Sequence, residues 1–184
     1  MVAAYLAFLG AFGAERIAEL LLSRRNARLA LARGGVESGA THFRWMAAVH
    51  ALFLPCCAAE VLLLRRPFPG ALGWACAAGA LCAQGLRWWA ISALGWRWNV
   101  RVIVVSGAAP VRRGPYRYLR HPNYAAVAAE MLLVPLAHGA FICAAVFSIL
   151  NAMLLRGRIR IEEKALGAAW EREFAGVPRF IPHG

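Results

Sequence analysis

The sequence predicts an all-α integral membrane protein with about five transmembrane helices. Hydrophobic residues make up 61% of its 184 residues and charged residues only 16%, whereas about a quarter of a soluble domain is charged. The apolar residues fall in runs long enough to cross a bilayer core about 30 Å thick. The basic residues, which give a net charge of +12, stand in short blocks between these runs. Because this pattern is typical of cytoplasmic loops beside anionic lipid, membrane lipid is an expected partner and nucleic acid is not.

Three spans are predicted in the first half of the chain. The first runs from residue 1 to about 22, the second from about 42 to 64, and the third from about 71 to 94. Residues 23–41 contain four arginines and three glycines. This segment is therefore predicted to be a basic loop with glycine turns, because no strand precedes the glycines to make them a phosphate cradle.

Polar and aromatic residues at the ends of these spans allow two interpretations each. Glu15 and Glu19 share a helix face, with Arg16 beside them. Such charges more often reach up to the membrane surface, but a cluster of them can also line a site. The tryptophans at 88, 89, 96 and 98 favour a belt at the membrane interface. The alternative is an aromatic wall for a lipid-like chain.

The second half contains a β-branched segment, a helical hairpin and a polar tail. Residues 100–105 are predicted to be either a short strand or an extended cover over a site. Residues 122–155 are mostly apolar and are interrupted by Pro135 and by a His-Gly pair at 138–139. A single helix over this stretch would be roughly 50 Å long, so two short helices folded back on each other fit the bilayer better. Residues 162–174 have helical spacing.

The placement of lysine and arginine predicts the orientation in the membrane. Of the 21 basic residues, 17 fall in residues 23–44, 94–121 and 156–184. The positive-inside rule then places the N-terminus outside and the C-terminus and site in the cytoplasm. Abundant alanine and arginine, with Lys164 as the single lysine, indicate a GC-rich bacterial source and hence a bacterial inner membrane.

The polar stretch 112–124 has the chemistry of an anion site. Gly114-Pro115 is a turn signal, and Pro122 fits the first turn of a helix. The free N–H groups of a helix N-terminus, with arginines nearby, bind anions. The carboxylates at positions 162 and 163 could hold a cation. S-adenosylmethionine needs both kinds of partner, but on charge alone the arginines favour a topology signal and the two glutamates a solvated helix face.

The order and spacing of these residues carry a resemblance to a known family. Gly114-Pro115-Tyr116, Arg120-His121-Pro122-x-Tyr124, a helical hairpin and Glu162-Glu163-x-x-Leu166 resemble the isoprenylcysteine carboxyl methyltransferase family, which is similar to the membrane phospholipid methyltransferases. The resemblance covers about residues 95–182. In the first half, Glu15-Arg16-x-x-Glu19 and Arg87-Trp88-Trp89 resemble a bacterial branch associated with type III polyketide synthases. Members of that branch methylate alkylpyrones or alkylresorcinols.

The resemblance implies a membrane methyltransferase with S-adenosylmethionine as cofactor and without a Rossmann fold. In agreement, no G-x-G-x-x-G motif follows a strand in this sequence. Residues 1–184 would then form a single membrane domain, with three spans in 1–94 and the cofactor-binding half in 95–184. No metal site is expected. The implied cofactor-binding residues are Tyr116, Arg120, His121, Pro122, Tyr124, Glu162 and Glu163.

The methyl acceptor would be a lipophilic small molecule that enters sideways from the bilayer. An ionised acceptor needs only a nearby arginine, whereas a resorcinol hydroxyl, with a pKa of about 10, would need a base. For Glu130, a carboxylate within a span, a functional role and a hydrogen-bonded packing role weigh equally. His50 and His138 are predicted to be structural, and His183 to lie in a frayed tail. The candidates for acceptor contact are Arg97, Asn99, Arg101 and Glu130.

Two other classes of function stay open at this point. An enzyme of this kind could instead N-methylate phospholipid amines or methylate the carboxyl group of a prenylated cysteine. A non-catalytic scaffold that holds a synthase, such as a type III polyketide synthase, at the bilayer would keep the spans and the arginine bias. It would have no reason to keep both polar motifs, so it ranks last.

Overall fold

The computed structural model describes residues 1–180, so His183 lies outside the described residues. Within that range the chain is mostly helical, which confirms the all-α prediction in its main part. Two helices, Ala40–Leu63 and Phe141–Glu173, are long and apolar enough to cross a membrane, and the count of five spans stays a prediction. The elements are α1 (Val2–Ala32), β1 (Val36–Ser38), α2 (Ala40–Leu63), α3 (Ala71–Leu94), β2 (Val102–Val104), α4 (Pro122–Leu136) and α5 (Phe141–Glu173).

Successive helices run in alternating directions. At one end of the bundle, the Tyr5 hydroxyl at the start of α1 donates to the Val134 carbonyl near the end of α4 at 3.2 Å. At the same end, the Glu60 carboxylate of α2 accepts from the backbone N–H groups of Ile142 and Cys143, at 3.1 and 2.7 Å, and so caps α5. The opposite end therefore gathers the ends of α1, α3 and α5 and the beginnings of α2 and α4.

The apolar core lies between these two ends. Its buried side chains come from all five of these helices and include Phe12, Phe53, Val61, Val134 and Phe147. Many apolar side chains on the outer faces are exposed, among them Trp45, Leu63, Trp74 and Met153. A helix bundle with an apolar exterior is suited to a lipid environment.

Several predicted boundaries agree with the structure. Helix α3 covers the predicted residues 71–94, and α2 begins two residues before and ends one residue before its predicted bounds. Residues 122–155 form the predicted hairpin, with α4 and α5 joined by a turn in which Gly139 has a φ of 73°. A positive φ favours glycine, because a Cβ would clash with the backbone.

The predicted loop over residues 23–41 is wrong for its first ten residues, since α1 continues to Ala32. Arginine and alanine are good helix formers, and Ala27 and Ala30 are buried. The Asn26 amide also donates to the Trp98 carbonyl at 2.8 Å, which ties the extension to the segment after α3. The change in polarity after residue 22 marks the end of the apolar stretch and not the end of the helix.

The β-branched segment forms a strand, which was one of its two predicted alternatives. β2 pairs antiparallel with β1, with Val36 opposite Val104 and Ser38 opposite Val102. The residues after β2 pass over the end of the bundle at which α1, α3 and α5 end, and the chain then enters α4.

The polar tail is helical as predicted, and one residue with non-helical backbone angles, Gly167, divides α5 into two helical segments. Helix α5 runs on from the hairpin to Glu173, with one kink at Gly167, where φ is 72° and ψ is −171°. The kink lets Trp170 and Phe174 pack against Tyr116 and Ala90.

Candidate functional site

A cavity of about 710 Å³ lies where the ends of α1, α3 and α5 meet the beginnings of α2 and α4. Residues 102–111, which include β2, form part of its wall. Its volume falls within the range of small-molecule sites. The cavity is thus built from both halves of the chain.

The stretch before α4 is fixed by the tail of the chain. The backbone N–H groups of Arg120 and His121 donate to the carbonyls of Pro178 and Arg179, at 2.9 and 3.2 Å. Gly114 has a φ of 57°, and a Cβ at this position would lie 2.9 Å from the Cβ of Ala93. A glycine is therefore required where this stretch crosses α3.

A chain of three polar side chains links α4 to α5 on the cavity wall. The Tyr124 hydroxyl donates to a carboxylate oxygen of Glu162, and Arg158 Nε donates to the Tyr124 oxygen at 3.0 Å. All three residues line the cavity. Arg158 is only 4% exposed, yet it was not predicted as a site residue, because arginines after a span usually signal topology.

Glu163 lies outside the cavity wall and holds two other groups. Its Oε1 is 3.1 Å from His121 Nε2, and its carboxylate accepts from Arg179 Nε and Nη2 at 3.0 and 2.8 Å. His121 itself lines the cavity. Adjacent helical residues point about 100° apart, so Glu162 faces the cavity while Glu163 fixes His121 and the tail.

Aromatic rings surround this end of the cavity. The centroids of the Trp170 and His121 rings are 5.6 Å apart. The Arg120 guanidinium lies over the Trp170 ring, 5.9 Å from its centroid. Burial raises the pKa of the Tyr116 phenol well above its ordinary range, and the carboxylate of Glu162 and the phenol of Tyr124 add to the rise. Tyr116 is therefore a neutral hydroxyl at physiological pH. Pro122 begins α4 and is buried.

At the other end of the cavity four charged side chains from three helices meet. We call Arg16, Glu19, Arg87 and Glu130 the inner charged cluster. Arg16 Nη1 donates to Glu19 at 2.7 Å, and its Nη2 donates to Glu130 at 2.6 Å. Arg87 donates to both oxygens of Glu19, with Nη2 at 2.6 Å from Oε2. Arg16, Glu19 and Arg87 line the cavity, which favours the site interpretation for the first two.

Two polar atoms of this cluster are left without a hydrogen bond to any residue in 1–180. They are Arg87 Nη1 and Glu130 Oε1, and Arg87 Nη1 lies 3.9 Å from Glu130 Oε2. Arg87 is 6% exposed and Glu130 4%. Leaving buried polar atoms without partners is unfavourable, so such atoms point to a ligand or a functional role.

Glu130 lies just behind the cavity wall. It lines a second, small cavity of about 30 Å³ that shares Arg16, His50 and Val127 with the large one. This volume suits a single oxygen-sized group. Glu130 is six residues after Tyr124, which corresponds to about 9 Å along α4.

The other three predicted acceptor contacts line the cavity away from Glu130, and their polar groups are engaged by the protein. Arg97 donates to the Ala109 carbonyl. The Asn99 amide donates to the Ser23 carbonyl at 3.0 Å and accepts from the Arg101 N–H at 2.8 Å. Arg101 forms an ion pair with Glu37 of β1. None of these bonds joins the three residues to the inner charged cluster.

Comparison with known proteins assigns the family. The description "Isoprenylcysteine carboxyl methyltransferase (ICMT) family" matches residues 75–168. An uncharacterized protein of Bacillus subtilis (strain 168), YpbQ, is 41% identical over 152 residues, which cover 83% of this chain and 90% of the relative. The chain belongs to the isoprenylcysteine carboxyl methyltransferase family. Membership implies a membrane methyltransferase with a methyl acceptor as substrate, and methyltransferases of this family generally use S-adenosylmethionine.

The family match covers one end of the cavity more fully than the other. Tyr116, His121 and Glu162 all fall within residues 75–168, as do Arg87 and Glu130. Arg16 and Glu19 precede the matched segment. Two of the four residues of the inner charged cluster therefore lie outside the segment that the family matches.

Proposed function

We propose that this protein is an S-adenosylmethionine-dependent membrane methyltransferase that O-methylates a lipophilic acceptor of the alkylpyrone or alkylresorcinol type. The observation that carries the proposal is the single cavity with two different polar ends. One end has a carboxylate, cations and aromatic rings, and the other has buried charges that face an apolar pocket. A two-substrate reaction needs both reactants held side by side in one water-excluding site.

The end formed by α4 and α5 suits the cofactor. Glu162 can hold the ammonium group or the ribose hydroxyls, and Arg120 or His121 the carboxylate. The rings of Tyr116 and Trp170 offer flat faces for the adenine. When bound, S-adenosylmethionine supplies an electrophilic methyl group on a sulfonium. The chain's own tasks are then to align the acceptor, to exclude water and to provide fixed charges.

The acceptor would enter from the bilayer between α1 and α2. Leu20 on α1 is 45% exposed and lines the cavity, and Ala47 and Ala51 of α2 are exposed cavity residues as well. An opening between apolar side chains admits a hydrophobic tail from lipid without exposing it to water.

The inner charged cluster favours an acceptor oxygen over an acceptor amine. Arg16 and Arg87 line the cavity and can donate hydrogen bonds to an acceptor oxygen, whereas a cationic amine has no lone pair to accept them. The two arginines would attract a carboxylate, so carboxyl methylation, as the family name describes, is the second candidate. A working link to a type III polyketide synthase and a cytoplasmic site belong to the proposal, on the grounds of the branch resemblance and the arginine bias.

The test is binding of S-adenosylhomocysteine to the purified protein in nanodiscs, measured by calorimetry. We expect micromolar binding that His121→Ala abolishes, because this ring lines the cavity beside Trp170. Arg117→Ala is the matched control, since Arg117 belongs to the same stretch but is exposed and lies off the cavity. Its binding should equal that of the wild type. A folded wild-type protein that does not bind S-adenosylhomocysteine would contradict the proposal.

A further inference from the structure

His50 of α2 stands at the junction of the two cavities. It lines both the large cavity and the small cavity that contains Glu130. Its Nδ1 lies 2.8 Å from the Met46 carbonyl. A carbonyl oxygen can only accept, so Nδ1 carries the proton and Nε2 of the neutral ring is a hydrogen-bond acceptor. No described residue forms a hydrogen bond with that Nε2.

The charged groups around His50 come from three helices. Arg16 and Glu19 face this end of the cavity from α1, Arg87 from α3 and Glu130 from α4. Arg158 of α5 lines the same cavity beside Tyr124, toward the proposed cofactor end. The two carboxylates bind Arg16 and Arg87, and Arg87 Nη1 still has no acceptor among residues 1–180.

Among the described residues, this end therefore has two acceptor atoms without a hydrogen bond, His50 Nε2 and Glu130 Oε1, and one such donor atom, Arg87 Nη1. A hydroxyl group satisfies one acceptor and the donor, because its hydrogen can bond to His50 Nε2 while its oxygen accepts from Arg87 Nη1. A cationic amine offers no acceptor for Arg87 Nη1. A carboxylate has no proton to give to the histidine. The pair thus selects a weakly acidic hydroxyl on an apolar ring.

We infer that His50 is the proton acceptor for a weakly acidic ring hydroxyl, and that Arg87 and Arg16 hold the oxyanion that forms. The inference rests on the proposed function. The O–H bond breaks and its proton moves to His50 Nε2. An electron pair of the oxygen then forms the bond to the methyl carbon, and the electrons of the breaking carbon–sulfur bond stay on sulfur. The imidazolium that results faces the guanidinium groups of Arg16 and Arg87 as well as the carboxylate of Glu19, and it returns its proton to water after product release.

The experiment compares two acceptors in wild-type and His50→Gln protein in nanodiscs, across a range of pH. The first acceptor is an alkylresorcinol, whose hydroxyl has a pKa of about 10, and the second is an alkyl hydroxypyrone, whose enol is already ionised near neutral pH. We expect His50→Gln to lower kcat for the resorcinol by about 100-fold or more at pH 7, in line with the size of general-base catalysis. The loss should shrink as the pH approaches 10, and the pyrone should lose only a few-fold.

His42→Gln is the matched control. His42 lies on the same helix, its Nε2 bonds to the Leu154 carbonyl at 2.9 Å, and it does not line the cavity. Its rates with both acceptors should equal those of the wild type. Binding of S-adenosylhomocysteine reports folding in every variant. If His50→Gln does not fold, the wild-type pH profile decides, because a histidine base requires the resorcinol rate to fall as the pH falls through the pKa of that histidine.

Three outcomes would overturn the inference. The first is an equal loss with both acceptors and an unchanged pH profile, which would mean that His50 only supports the structure. The second is an unchanged rate with the resorcinol. The third is a wild-type protein that binds S-adenosylhomocysteine but methylates no ring hydroxyl, which would leave the cofactor site intact and exclude this acceptor class. If the wild-type protein does not bind S-adenosylhomocysteine, that result would instead contradict the proposed function itself.

Discussion

The adjacent carboxylates Glu162 and Glu163 show how one residue step on a helix separates two tasks. Glu162 lines the cavity and accepts from the Tyr124 hydroxyl. Glu163 binds His121 and Arg179 behind the wall. The first is placed to touch a bound cofactor, while the second acts through the residues that it positions.

We expect Glu162→Gln to weaken S-adenosylhomocysteine binding by about 10- to 100-fold, which is the size of a lost hydrogen bond to a charged group. Glu163→Gln should weaken binding less and lower the melting temperature more, because it releases the tail. Isothermal titration and thermal melting in the same nanodiscs measure both. Glu171→Gln, on an exposed position of the same helix, is the control. A larger binding loss in Glu163→Gln would show that the assignment of the two carboxylates is reversed.

At the scale of elements, the kink in α5 decides where the tail packs. Gly167 has a φ of 72° and a ψ of −171°, a combination that is essentially confined to glycine. A Cβ at this position would meet no atom of the described residues within 4 Å. The cost of a side chain here would therefore come from the backbone conformation alone.

We expect Gly167→Ala to destabilise the protein by about 1–3 kcal/mol, since alanine resists this conformation. The displaced tail would carry Trp170 and Phe174 away from Tyr116, so S-adenosylhomocysteine binding should weaken as well. Gly85→Ala is the matched control, because Gly85 lies within α3 and a Cβ there also meets open space. That change should be neutral or slightly stabilising, as alanine favours a helix. Equal melting temperatures for the two variants would contradict the role of the kink.

Local signals in the sequence predict part of this fold, and contacts between distant residues decide the rest. The hairpin could be predicted because Pro135 and the His-Gly pair at 138–139 interrupt the apolar stretch locally. The helix-forming arginines and alanines of residues 23–32 were a local signal for the continuation of α1, but the bond from Asn26 to a segment 72 residues away was not predictable. Likewise, Arg16 and Glu130 are 114 residues apart, and only the packing of α1 against α4 shows that they meet. Polar residues within the predicted spans were the signal in the sequence for the inner charged cluster. That signal did not show which of these residues bind one another.

At the scale of the whole molecule, the alternating helix directions bring both polar stretches and the inner charged cluster to one end of the bundle. An odd number of crossings would leave the termini on opposite sides of the membrane. The cavity at this end has two kinds of boundary, because residues of the polar tail line its proposed cofactor end, while Leu20 and Ala47 are exposed cavity residues on the apolar exterior. The fold is thus suited to the proposed reaction, in which a water-soluble cofactor and a lipid-soluble acceptor would meet in one site.

Blocking the opening between α1 and α2 should therefore affect only the acceptor. We expect Ala47→Trp to raise KM for a long-chain alkylresorcinol by about tenfold or more, because the indole would occupy the path of the tail, while S-adenosylhomocysteine binding stays unchanged. Ala48→Trp is the matched control: Ala48 is the next residue on α2, is also exposed and does not line the cavity. Steady-state kinetics in nanodiscs with acceptors of increasing chain length measure the effect. The increase in KM should grow with chain length, since a short acceptor can bypass the indole. An equal effect of both tryptophans, or a loss of cofactor binding in Ala47→Trp, would show that the acceptor reaches the site by another route.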